Sequence, residues 1–147
     1  MDCLNLTKKN MSPITIDITI LKSVDKVWDY FTKPEHITEW NFATDEWVCP
    51  AAKNNFEVGG AFDYRMEAKD GSFGFDYTGV FDEIVPLKKI NYLLDDGRKV
   101  EVIFESLDPD MTKVTEIFEP DPEQPPQMQR EGWYGILNNF HKYVENN

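Results

Sequence analysis

The sequence predicts an α+β domain, a curved antiparallel sheet closed by one long C-terminal helix, with two short helices after the first strand. Three observations lead there. Strand-like runs follow one another through the middle of the chain and are broken by Asp-Gly turns. The C-terminal segment carries an apolar stripe of helical period. Other helical signals fall only between the first strand and the run of strands, so strands and helices are segregated rather than alternating. The 147 residues fit one domain, expected over 13–147 behind a flexible lead-in at 1–12.

Ile14 to Leu21 reads ITIDITIL, β-branched and partly alternating, which is a strand. Ser23 offers a helix N-cap ahead of Val24, Val27, Trp28 and Phe31, one stripe at i, i+3, i+4 and i+7. Lys33-Pro34 interrupts it, because proline biases its predecessor away from helix. A second short helix starts from Pro34 at a first-turn position and runs to Trp40. Ala61–Ala68 and Ser72–Asp82 flank Asp70-Gly71, read as a two-residue hairpin loop. That register opposes Met66 to Phe75, Tyr64 to Tyr77 and Phe62 to Gly79, and on the other face Arg65 to Asp76 and Asp63 to Thr78. Rings on one side and an opposite-charge pair on the other are what cross-strand pairing favours. Lys88–Leu94 and Arg98–Ser106 form a second hairpin, whose three-residue loop Asp95-Asp96-Gly97 sets Tyr92 opposite Val100 and Ile90 opposite Val102. Thr112–Glu119 is the last strand, and the four prolines of Glu119–Pro126 make a corner. From Gln127 to Glu145 the stripe Trp133, Ile136, Leu137, Phe140 and Val144 marks the long helix. Gly132 and Gly135 each cost about 1 kcal/mol there relative to alanine. Close packing on the sheet is the simpler explanation for them, and room for a ligand is the other.

Composition excludes whole classes of function. Fifteen Lys and Arg against 27 Asp and Glu give a net charge of −12, which repels nucleic acid and anionic membrane surfaces alike. No stretch approaches the roughly 20 apolar residues that span a bilayer. The N-terminal segment has no signal-peptide core, so a cytoplasmic protein is expected. Cys3 and Cys49 form no redox or zinc motif, and free thiols are expected rather than a disulfide. His36 with Glu39, and His141 with Glu145, each supply only half a metal site. They read as solvated helix-face residues, so no metal and no cofactor is expected. The acidic clusters at Asp95 and Asp108 lack calcium-loop spacing, and Gly59-Gly60 lacks the lysine and helix of a phosphate cradle.

What remains is aromatic. Phe62, Tyr64, Met66, Phe75, Tyr77, Tyr92 and Trp133 converge between sheet and helix, with Val102, Phe118 and Leu137 beside them. A curved sheet closed by one helix leaves a void, and rings with a few polar tips suit a small apolar ligand. Glu116 has two placements. With Val114 and Phe118 inward it is a carboxylate in an apolar cavity with a raised pKa; with Thr115 and Ile117 inward it is solvated.

The segment Ser23-Val-Asp-Lys-Val-Trp-Asp-Tyr-Phe-Thr-Lys-Pro-Glu-His-Ile-Thr-Glu-Trp40 resembles the opening of the START-like (SRPBCC) superfamily. Phe56-Glu-Val-Gly-Gly-Ala-Phe62 is similar to its glycine-pair strand entry, and Thr78-Gly-Val-Phe-Asp-Glu-Ile-Val-Pro86 to its "G…I-x-P" strand. Gly132-Trp133, followed by Leu137 and Tyr143, resembles its terminal helix. The nearest branch in pattern is the bacterial one similar to the activator of heat-shock-protein-90 ATPase. The resemblance implies a helix-grip fold with a cavity between sheet and helix, and no universal catalytic residue. It does not fix an activity; the reading taken, with the ring-lined void, is a binder of a small hydrophobic or aromatic molecule, monomeric or homodimeric. The alternatives are a module acting on a chaperone or another protein, and a small cyclase- or aromatase-type enzyme using Tyr and Glu116.

Overall fold

In the computed structural model, which describes residues 12–147, strand β1 (Ile14–Ile20) runs into helices α1 (Val24–Thr32) and α2 (Pro34–Trp40). The chain returns through β2 (Trp47–Asn54), β3 (Ala61–Ala68), β4 (Gly74–Val85), β5 (Lys89–Leu94), β6 (Lys99–Asp108) and β7 (Met111–Phe118) to helix α3 (Pro126–Asn146). Residues 1–11 of the lead-in, with the Cys3 half of any disulfide, lie outside the described residues.

All seven strands form one antiparallel sheet ordered β1-β7-β6-β5-β4-β3-β2. It curls into a half-barrel around α3, the α+β helix-grip arrangement. From β2 to β7 it is a meander, and β1 closes on β7 along its whole length, Ile14 opposite Phe118 through Ile20 opposite Thr112. The first strand thus lies at one edge and β2 at the other, with α1 and α2 carrying the chain between them.

The local chemistry explains the breaks. Ser23 is extended, and its hydroxyl accepts the Lys26 N–H at 3.4 Å, capping α1. Lys33, extended before Pro34, ends α1 and opens α2 with Pro34 in its first turn. Both hairpin registers match the sequence expectation residue for residue. The first loop does not. Ala68 N–H bonds to the Phe73 carbonyl at 2.9 Å and Gly71 N–H to the Ala68 carbonyl at 3.0 Å, so the loop is the four residues 69–72. A two-residue loop of the favoured hairpin type needs left-handed backbone at both positions. Gly71 adopts it (φ 79°), and Asp70 does not. Four residues are centred on the same point as two, which is why the register is unchanged. At the second hairpin Gly97 (φ 92°) supplies the left-handed residue of the expected three-residue loop.

Strand β2 has no counterpart among the sequence expectations. Pro50, Ala51, Ala52 and Lys53 are poor strand formers. They are accepted because β2 is an edge strand and its pairing to β3 shifts between Val48 and Ala51, where a proline without an N–H is tolerated.

Nor are the histidines solvated. His36 Nδ1 lies 2.8 Å from the Tyr143 hydroxyl, and its ring stacks on Tyr30 with centroids 4.0 Å apart. His141 Nε2 lies 2.9 Å from Glu145 Oε2, which also accepts the Leu21 N–H at 2.8 Å. Both sites tie the end of α3 to its neighbours. Above them Leu137, Phe140 and Val144 are fully buried, Phe140 with ring centroids 5.3 Å from Phe31 and 4.7 Å from Trp40.

Candidate functional site

Beneath the N-terminal half of α3 the interface is hollow. A cavity of about 330 Å³ lies between the helix and strands β3 to β7. Strand alternation sends Phe62, Tyr64 and Met66 to it from β3, Phe75, Tyr77 and Phe81 from β4, Ile90 and Tyr92 from β5, and Glu116 from β7. Helix α3 contributes Gln129, Trp133 and Ile136, one face at i, i+4 and i+7.

Phe62 is the hub of the wall. Its ring centroid is 5.0 Å from Tyr64, 5.3 Å from Phe81, 5.1 Å from Tyr92 and 5.9 Å from Tyr77. Gly79, its partner on β4, makes this possible: a Cβ there would stand 2.8 Å from the Phe62 ring and 2.5 Å from the Leu93 carbonyl. Trp133 lies flat on Phe118 at 3.9 Å and meets Tyr77 at 6.4 Å. Phe75 is 40% exposed, so the cavity reaches the surface beside the β3–β4 hairpin.

Among the described residues, the ionisable groups on the wall are partnered with one exception. The Tyr77 and Tyr92 hydroxyls share a hydrogen bond of 3.1 Å, and the Tyr64 hydroxyl accepts from Asn54 Nδ2 at 3.1 Å. Asn41 Nδ2 donates to Met66 Sδ at 3.4 Å. Arg98 Nε pairs with Asp96 at 2.8 Å. Gln129 pins the proline-rich corner to the helix, accepting the Asp121 N–H at 2.7 Å and donating to the Asp121 and Gln124 carbonyls. The exception is Glu116, 8% exposed. The alternating burial of β7 settles its placement, with Thr112, Val114, Glu116 and Phe118 all inward.

Residues 22–145 match the family described as Activator of Hsp90 ATPase homolog 1-like protein. The chain belongs to this family. Its fold is shared with the solution structure of an AHSA1-like protein from Aeromonas hydrophila, 38% identical over 90% of this chain and 93% of that one, with a TM-score of 0.82. A protein from Cytophaga hutchinsonii is 42% identical over 92% and 93% of the two chains, with a TM-score of 0.79. Protein NE0264 from Nitrosomonas europaea, 17% identical over 93% and 96% with a TM-score of 0.79, shares the fold. No curated protein matches the sequence.

Burial pushes the Glu116 carboxyl up to about 8 and the Tyr64 hydroxyl to about 12, and it raises the Tyr77 and Tyr92 hydroxyls as well. The uncharged form of each group is thus favoured at neutral pH, and this AHSA1-like cavity is a largely apolar chamber with hydrogen-bonding tips. Among the described residues no three His, Cys, Asp or Glu side chains are grouped to hold a metal ion.

Eight of the eleven residues singled out from sequence stand on the cavity wall: Phe62, Tyr64, Met66, Phe75, Tyr77, Tyr92, Glu116 and Trp133. Val102, Phe118 and Leu137 do not. Val102 is sealed between strands opposite Glu116, Phe118 backs the Trp133 ring, and Leu137 belongs to the solid part of the core. Gly135 is likewise away from the cavity. A Cβ there would stand 3.2 Å from the Ala43 carbonyl, so this glycine serves close packing on the segment after α2. The site residues singled out from sequence did not include Phe31, Thr32, Trp40, Asn41, Phe56 and Phe81, nor Ile90, Arg98, Asp121, Gln124, Gln129 and Ile136, all on the wall. Gln129 and Ile136 carried a signal, four residues before and three after Trp133 on the same helical face, and so did Ile90, two residues before Tyr92 on one strand face.

Proposed function

We propose that this protein binds a small, largely apolar molecule in the cavity beneath α3. The single observation behind this reading is a space of about 330 Å³ walled by rings, within the range of roughly 300–1,000 Å³ that ligand sites occupy. The rings are braced by one another: Tyr77 by Tyr92, Trp133 by Phe118, Phe62 by four aromatic neighbours. Bracing of this kind keeps a pocket open without an occupant, which lowers the ordering cost of binding.

The test is uptake of the neutral fluorescent probe N-phenyl-naphthylamine by the parent and by Ile136→Trp, which fills the chamber from the helix side. The parent is expected to take up the probe, and the variant to lose at least about tenfold in affinity while keeping its circular dichroism. Native mass spectrometry of freshly purified protein gives a second reading, a bound small molecule released on denaturation. No uptake by the parent together with no co-purifying mass would refute the binding role and leave the protein-interaction alternative.

A further inference from the structure

Resting on that binding role, we infer that the ligand is an organic ammonium: a ring-bearing apolar body whose protonated amine pairs with the Glu116 carboxylate.

The argument begins with an unpaired group. Buried polar side chains are hydrogen-bonded almost without exception, and an exception needs an explanation. Glu116 is more than nine-tenths buried and faces the cavity, and no hydrogen bond from a described residue reaches its carboxyl. Its strand partners are Ile16 on β1 and Val102 on β6, both apolar and buried. The other titratable or charged groups on the wall are Tyr64 on β3, Tyr77 on β4, Tyr92 on β5, Arg98 before β6 and Asp121 in the proline-rich corner. Each is engaged elsewhere: the tyrosines with Asn54 and with each other, Arg98 with Asp96, and the Asp121 carboxylate with the Glu123 N–H at 2.9 Å. Glu116 alone aims a free acid into the chamber.

Charge decides between the occupants that could answer it. Ring faces are negative and attract a cation, most of all when water is excluded. A charge-assisted bond to a carboxylate outweighs one between neutral groups. The chain's net charge of −12 draws cations toward it and repels anions. An anionic ligand would meet Glu116 and Asp121 on the wall with Arg98 already paired.

This pairing fixes a proton balance. With the carboxyl titrating at about 8 in the empty site, most molecules at neutral pH hold a proton there. Binding of the ammonium expels that proton to solvent. Affinity for an amine therefore rises about tenfold per pH unit below that value and levels off above it. A neutral ligand accepting a hydrogen bond from the protonated acid would show the opposite sign.

Calorimetric titration with naphthylmethylamine and its neutral isostere naphthylmethanol tests this. In the parent at about pH 8 the amine is expected to bind at least roughly tenfold tighter than the alcohol. Its affinity should rise between about pH 6 and pH 8, with proton release read from buffers of different ionisation enthalpy. In Glu116→Gln the preference for the amine over the alcohol disappears. The proton release is measured on the parent alone, so the test survives a variant that fails to fold. Equal binding of amine and alcohol, or binding of the amine without proton release, overturns the ammonium assignment and leaves the cavity role standing. So does uptake of N-phenyl-naphthylamine with no binding of either naphthyl compound. If all three probes fail to bind, both readings fall together.

Discussion

The two halves of helix α3 meet the same sheet and do opposite things with it. Toward the C-terminus, Leu137, Phe140 and Val144 are sealed in a solid core, Phe140 against the rings of Phe31 and Trp40. Branched aliphatics such as Ile20, Val27 and Val114 complete the cluster, none of them more than 1% exposed. Toward the N-terminus, Gln129, Trp133 and Ile136 stand over Phe62, Tyr64, Tyr77 and Tyr92 across open space. Branched aliphatic chains interdigitate to crystal-like density. The strands facing the hollow half carry rings instead, Phe62 meeting Tyr64, Tyr77, Phe81 and Tyr92 at centroid distances of 5.0 to 5.9 Å, and each tyrosine hydroxyl there must also find a partner. A wall of mutually braced tyrosines therefore stands upright rather than collapsing inward. The contrast teaches that hollowness here follows from residue type on the facing strands, not from glycine in the helix.

The largest test of that contrast is truncation on each side. Phe140→Ala, in the solid half, is expected to lower stability by about 3–5 kcal/mol in denaturant unfolding, since the cavity it leaves cannot close. Ile136→Ala, over the hollow half, should cost less than about half as much, because its removed atoms only enlarge an existing space. Equal losses would erase the distinction.

Next in size is Glu116. Its folded-state value of about 8 lies above the ordinary 4.5, so the folded protein holds a proton that the unfolded chain releases. Stability is unaffected below about pH 4.5, falls with rising pH across the window to about 8 by roughly 1.4 kcal/mol per unit, and is flat above it. Glu116→Gln should remove this slope, making the variant more stable than the parent by a few kcal/mol at about pH 8 and equal to it at acid pH. Parallel pH profiles for the two proteins would show that the carboxyl is solvated after all.

Smaller again is Tyr92→Phe, which leaves the Tyr77 hydroxyl without its 3.1 Å partner and is expected to cost about 1 kcal/mol. The finest test uses the helical glycines. Gly132→Ala places a Cβ where no atom lies within 4 Å and should raise stability by up to about 1 kcal/mol. Gly135→Ala sets a Cβ 3.2 Å from the Ala43 carbonyl, so its gain in helix propensity is offset by backbone crowding. A gain at Gly135 matching that at Gly132 would remove the packing explanation.

Strand β2 shows where legibility stopped in the fold. Its residues Pro50 to Lys53 have no strand preference, and their conformation is imposed by pairing with β3. The same holds in the site. Tyr64 and Tyr77 were readable because the β3–β4 register fixes their common face, and Tyr92 because the β5–β6 register sets it on one face with Ile90. Arg98, Asp121, Asn41 and Phe31 come from four separate parts of the chain, and no local period links them.

By itself the sequence determined the things that depend on neighbours along the chain: strand faces, hairpin registers, the Lys33-Pro34 break and the apolar stripe of α3. These follow from local sterics and from periods of 2 and 3.6 residues. Only the tertiary structure decided which way β7 turned Glu116, since Val114, Glu116, Phe118 and Thr115, Ile117 are two sets of similar hydrophobicity. The strand's two neighbours, β1 and β6, present Ile16 and Val102 on the inner face and so fix the choice. It likewise decided that Val102, Phe118 and Leu137 are solid core while Tyr77 and Trp133 border a void. Packing density depends on how distant side chains meet in three dimensions, which no one-dimensional pattern encodes.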